Sequence, residues 1–147
     1  MKKFGTFFLL GISILISSCD KCNEGDKATP ASVFVEIIDE TSSENVFENE
    51  TFTSQQISIK DLNDVDIPFN FISNTNLIQI FPPTENPIEN TLIINLNNET
   101  TLAIEEISII HDVTSKDKEC YTTYKIENVQ VPNNTSELVD GVYVIKI

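Results

Sequence analysis

The chain has 147 residues, with 23 acidic side chains against nine basic ones, a formal net charge of −14, and neither arginine nor tryptophan. That balance excludes the basic footprint of a nucleic-acid-binding protein, and it disfavours adsorption to anionic lipid. Isoleucine, valine and threonine are abundant, and such branched side chains fit a pleated surface better than a helix.

At the N-terminus, Lys2 and Lys3 precede an apolar run over residues 4–16, and the small Ser17 and Ser18 lead into Cys19. This is the layout of an export signal. The run is shorter than the roughly 20 apolar residues that span a bilayer, which disfavours a retained transmembrane helix. The stretch Leu15-Ile16-Ser17-Ser18-Cys19 resembles the lipobox of bacterial lipoproteins. The resemblance implies that residues 1–18 are a signal peptide, that the Cys19 thiol is diacylglycerated, and that Cys19 becomes the first mature residue. Membrane contact then comes from acyl chains, each buried CH₂ adding about 0.8 kcal/mol. An ordinary secretory signal ending at a chance cysteine is the alternative.

Residues 19–31 are polar, include Gly25 and Pro30, and read as a flexible tether. Residues 32–147 then form one domain, long enough to bury a core without a metal. Without Lys2 and Lys3, seven lysines face 23 acids, so the mature net charge is near −16. Lipidation of Cys19 leaves Cys22 and Cys120 as one potential disulfide in an oxidising compartment. Closing that loop of about 97 residues would add close to 4.7 kcal/mol, less any strain. Two thiols that never meet are the alternative.

Residues 32–38 are apolar on both faces, as expected of a central strand. Residues 39–50 read as an acidic loop with Val46 and Phe47 pinned to the core. Residues 56–60 alternate, with Ile57 and Ile59 on one face. Residues 67–72 alternate again, and Pro68 either starts that strand or places it at an edge. A turn at Asn74-Thr75-Asn76 leads to a strand over residues 77–81, after which Pro82, Pro83 and Pro87 predict a crossover between sheets.

Strands over residues 91–96 and 100–110 flank Asn97-Asn98, which suits a type I′ hairpin turn. Glu105-Glu106 interrupts the alternation and predicts a bulge or bend there. Residues 111–119 read as a charged loop with His111 at its edge. Residues 121–131 are strand again, with a second bulge at Glu127-Asn128. Residues 132–140 read as a loop, Gly141 opens a turn, and residues 142–147 close the chain as a strand. These signals predict an all-β fold, an antiparallel two-sheet sandwich of about eight strands, immunoglobulin-like, with a small closed β-barrel as the alternative.

Among chemical candidates, Asp61, Asn63, Asp64 and Asp66 bring four oxygen-bearing side chains within six residues, a set suited to Ca²⁺. The loop lacks the glycine of a calcium loop's sixth position, where Asp66 stands, and its twelfth position is Ile72. An acidic turn explains it equally well. His111 beside Asp112 suggests a catalytic pair, but neighbours on a strand point to opposite faces. The same divergence removes Glu105-Glu106 as a glycosidase pair. Phe34, Phe69, Phe71 and Phe81 fit core packing better than a sugar platform.

The whole further resembles the small lipoproteins of Bacteroidetes, flavobacterial ones especially. The residues that carry the resemblance are Cys19-Asp20-Lys21-Cys22, Ile37 to Phe47, Asn49-Glu50-Thr51-Phe52, Cys120 to Ile126 and Gly141 to Ile147. In similar sequences a glycine often stands where Ser43 does. The resemblance implies an outer-membrane lipoprotein with a β-sandwich domain, facing the periplasm or the cell surface, and it brings no catalytic residues. The expectation is a non-enzymatic binding or assembly module of the envelope, with a protein or glycan partner and no cofactor. The rival is a calcium-dependent carbohydrate binder or hydrolase.

Overall fold

The computed structural model describes residues 30–147. The expected signal peptide, Cys19, Cys22 and all of the expected tether but Pro30 and Ala31 therefore lie outside the described residues. Within them the regular structure is almost all strand: β1 Val33–Ile38, β2 Ile57–Asp61, β3 Phe69–Ile72, β4 Leu77–Ile80, β5 Asn90–Asn98, β6 Ala103–Asp117, β7 Thr122–Gln130, β8 Thr135–Val139 and β9 Val142–Lys146. One short 3₁₀ turn, Ser54–Gln56, precedes β2.

The strands form two sheets, one ordered β3-β4-β1-β9-β8 and the other β2-β5-β6-β7, and neither closes into a barrel. The expected two-sheet β-sandwich is the fold. One refinement is needed, since β1 pairs parallel to β9, with Val35 beside Tyr143 and Ile37 beside Ile145. All other strand pairs are antiparallel. Placing β1 in the middle of a five-stranded sheet explains why both its faces are apolar. Val33, Val35 and Ile37 are buried against the other sheet, while Phe34, Glu36 and Ile38 are half-buried on the outer face.

The core is aliphatic: Ile59, Ile78, Ile80, Leu92, Ile94, Leu96, Ile107, Ile109 and Ile145 are each at most 2% exposed. Phe52 joins them from the loop before β2, at 2% exposed, and Val46 is buried as predicted. Phe47 packs edge-on against Phe71, with ring centroids 5.0 Å apart. Ser43 holds φ 59, the left-handed conformation that a glycine takes most readily. Pro68 immediately precedes β3, an edge strand, and the proline-rich segment 81–89 crosses from one sheet to the other.

Several local expectations are corrected. Asn97 and Asn98 are not the hairpin turn, because β5 runs to Asn98 and pairs it with Ala103. The turn is the four residues 99–102, with Leu102 at φ 61. Asn98 is buried beneath it, where its side chain organises the loop. Glu105-Glu106 carries no bulge, and the β5–β6 register is unbroken from Asn90–His111 to Asn98–Ala103. Glu105 lies on the inner face at the rim of the sandwich, half in water, so a charge there does not break the alternation. The second bulge is where it was expected. Between Ile110–Gln130 and Asp112–Glu127, β7 carries one extra residue, and Asn128 takes φ 52.

Two larger corrections concern strand length and number. Residues 111–117 are not loop but the second half of the 15-residue β6. Residues 135–139 form β8, exposed at every position. The turn that follows has Asp140 at φ 49 and Gly141 at φ +87 between the paired Val139 and Val142. Two consecutive positive φ values make a type I′ turn, for which Asp-Gly is a preferred pair. Exposure hid this strand, since a strand wetted on both faces has no apolar period.

Candidate functional site

The two long sides of the sandwich are unlike. On one side, the edges β2 and β3 are laced together. The Ile67 N–H, just before β3, donates to the Ile59 carbonyl of β2 at 2.8 Å, and the backbones of Lys60 and Asp66 form an antiparallel bridge. On the other side lie the edges β7 and β8. Among the described residues, no strand pairs with the outer edge of either. The sheet of five overhangs the sheet of four there, so β8 has nothing beneath it and the layers part.

The parting is a groove of about 540 Å³. Its walls are Ala31, Ser32 and Val33 at the start of β1, residues 123–126 and Val129 of β7, and Leu138, Gly141 and Tyr143 across from them. Tyr121, Tyr124 and Tyr143 all line it, and these are the chain's three tyrosines. Each ring offers a broad apolar face with a polar tip, a combination enriched where one end of a side chain is dry and the other wet. Four consecutive β7 residues line the groove although strand side chains alternate, so it runs along the strand's edge as well as its face.

Charge separates this groove from the rest of the surface. None of its lining residues is acidic, in a chain with 23 acids. The one charged lining residue, Lys125, is raised in pKa by its 2.7 Å contact with Glu127. The other two grooves described carry Glu99 in one and Asp61, Asp64 and Glu106 in the other.

The sequence candidate for calcium is a compact turn between β2 and β3. The Asp61 carboxylate accepts from the backbone N–H of Val65 at 2.9 Å and of Asn63 at 2.8 Å, and from the Asn63 amide at 3.3 Å. These bonds, that to Val65 foremost, hold its pKa below the ordinary value. Asp64 turns instead to the Lys60 ammonium at 2.6 Å, and Asp66 joins the Lys60 backbone bridge. The four residues share one turn, and the side chains of Asp61, Asn63 and Asp64 serve that turn's own geometry. Among the described residues, no group of three or more His, Cys, Asp or Glu converges as a metal site would.

His111 and Asp112 diverge, as strand neighbours must. Asp112 faces outward, where it accepts from the Asn128 amide at 2.7 Å and from the Glu89 N–H at 3.0 Å. His111 faces inward and is 0% exposed, which corrects its expected place at a loop edge. Cys120 stands beside Tyr121 at the rim of the groove and is not a free thiol. Its expected partner, Cys22, lies outside the described residues, as does Cys19, the expected lipidation site.

Sequence reasoning missed the groove. The available signal was that all three tyrosines fall in segments flanking the edge strands, but nothing in the linear pattern says that β7 and β8 face each other. Among the described residues, no helix is long and apolar enough to cross a membrane. The chain matches no protein-family model, no curated protein and no solved structure.

Proposed function

We propose that this chain is a lipoprotein of the Bacteroidetes type, anchored in the outer membrane through acyl chains on Cys19. Its sandwich is then a non-enzymatic binding or assembly module whose contact surface is the groove between β7 and β8. The observation that carries this reading is the gathering of the three tyrosines into one acid-free groove between two free strand edges. Free edges favour an extended protein segment, because main-chain hydrogen bonds supply affinity and side-chain pockets supply selectivity. An envelope glycan is less well served, since the lining holds no Asn, Asp, Gln, Glu, His or Arg to meet a sugar's hydroxyls.

Pairing of Cys22 with Cys120 belongs to the same proposal. Pro30, where the chain enters the domain, and Tyr121, next to Cys120, line the same groove. The seven residues between Cys22 and Pro30 are ample to reach across it at about 3.3 Å each.

Photo-crosslinking in intact envelopes tests the binding surface. A benzophenone side chain at position 124 or 143 should capture a defined partner, and one at the outward Ser108 should not. The Tyr143→Ala variant should abolish capture from position 124. Equal capture from all three positions would overturn the groove as the contact surface. Fatty-acid labelling that persists in Cys19→Ala would overturn the anchor. Non-reducing peptide mapping would show the Cys22–Cys120 link or its absence.

A further inference from the structure

His111 is the only histidine of the chain and the only titratable side chain buried among the described residues. It occupies the inner face of β6 between Ile109 and Val113, and neither ring nitrogen has a hydrogen-bond partner there. A buried polar group without a partner costs free energy, and a charged one costs far more. The position is otherwise an aliphatic one, so packing alone does not account for an imidazole.

Its surroundings make the position consequential. Across β5 its register partner is the uncharged Asn90. Across β7 it faces the bulge at Asn128 and Val129. From the opposite sheet the buried side chains are apolar, Val33, Val35, Ile78, Ile80 and Ile145 among them. Asp112 on its own strand is the charge that acts on the ring, with Glu127 opposite Asp112 and Glu85 and Glu89 in the crossover. None of them hydrogen-bonds the ring. Residues 111–113 are also where three segments meet. Asp112 ties Asn128 and the Glu89 N–H, and the Val113 N–H donates to the Pro87 carbonyl at 2.9 Å.

We propose that His111 is an acid-sensitive pin. Neutral, it fills the core and holds the junction of β6, the β7 bulge and the 81–89 crossover. Protonated, it drives that junction open while the hairpin end of β5 and β6 stays closed. Burial lowers the ring's pKa from its ordinary value, and the neighbouring Asp112 only partly opposes this. The sign follows. The open state binds the proton more readily, so closure is full above the open-state pKa of about 6.5 and weakens as pH falls below it. Because Val129 lines the tyrosine groove, opening also deforms that wall. The pin itself stands whether or not the groove binds a partner.

With a single histidine, the ring's proton resonances titrate without ambiguity. In the full domain, residues 30–147 with the preceding tether, the ring should titrate below 6.5. Protection of the Val113 and Glu89 amides should fall about tenfold per pH unit between 6.5 and that lower value. Protection at the Asn98–Ala103 end should hold over the same range. His111→Leu should flatten the Val113 response. A ring titrating at or above 6.5, Val113 protection constant from pH 7 to 5, or an unchanged acid response in His111→Leu would each overturn the proposal. The wild-type titration decides even if the leucine variant does not fold.

Discussion

The side-chain amide of Asn98 donates to the Thr51 carbonyl at 2.8 Å, joining the β5–β6 hairpin to a loop 47 residues earlier. The same side chain's oxygen accepts from the Thr100 and Thr101 N–H groups at 3.1 and 3.2 Å. Asn98 is 7% exposed, so its own ends of these bonds are shielded from water. Asn98→Ala should lower stability by about 2–3 kcal/mol, because it strands a carbonyl and two amides together. Urea unfolding measures this, and a loss below about 0.5 kcal/mol would mean that the loop holds itself.

Phe52 lies outside every strand, yet it is among the most buried large side chains. Phe52→Ala should cost about 3–4 kcal/mol through lost transfer energy and the cavity left behind. The comparison is Leu102→Ala, at a residue 81% exposed, which should stay within about 0.5 kcal/mol of wild type. Similar losses at the two sites would contradict the burial described.

At Gly141 the cost is conformational rather than steric. An added Cβ meets nothing within 4 Å, but φ is +87. Gly141→Ala should therefore destabilise by about 1–2 kcal/mol, the left-handed penalty alone. Asp140→Gly should be close to neutral, since glycine adopts positive φ without that penalty. Thermal melts of both variants check the pair.

Three carboxylates define a second and lower acid transition. The Ser42 N–H holds Asp39 below its ordinary value of 3.8, the Val65 N–H does so for Asp61, and the Asn128 amide followed by the Glu89 N–H does so for Asp112. In each case the folded state favours the charged form. That contribution is complete above the unfolded value near 4 and is lost as pH falls through the lowered folded values. Stability against pH should thus decline in two stages, first below about 6.5 from His111 and then below about 4 from the carboxylates. Asp61→Asn should shrink only the second stage. A change in the first stage would mean that the β2–β3 turn couples to the core histidine.

Much of the fold was legible because burial writes itself into alternation. Residues 56–60 and 67–72 show the period of half-buried strands, the turn at residues 74–76 announces the strand after it, and the prolines after Ile80 mark the crossing between sheets. The doubly apolar β1 announced a central position. Legibility failed where that coupling failed. β8 is wet on both faces and shows no period, although the Asp-Gly pair after it is a hairpin signal of its own. Glu105 seemed a break because its place at the rim, half in water, is invisible in one dimension. His111 opens a charged run that includes Asp112, Lys116 and Asp117 and so reads as loop, whereas the strand continues through it and turns it inward.

The acid-rich, arginine-free composition, the β character and the cysteine at the end of an apolar N-terminal run belong to the sequence alone, since they depend on residue chemistry and local spacing. Which strands lie at the edges, and that the three tyrosines share one groove while the one histidine is sealed in the core, depend on pairings between residues far apart in the chain. Those pairings are decided by how the two sheets stack, with one layer a strand wider than the other. That surplus strand leaves the groove open, and no local pattern of side chains encodes it.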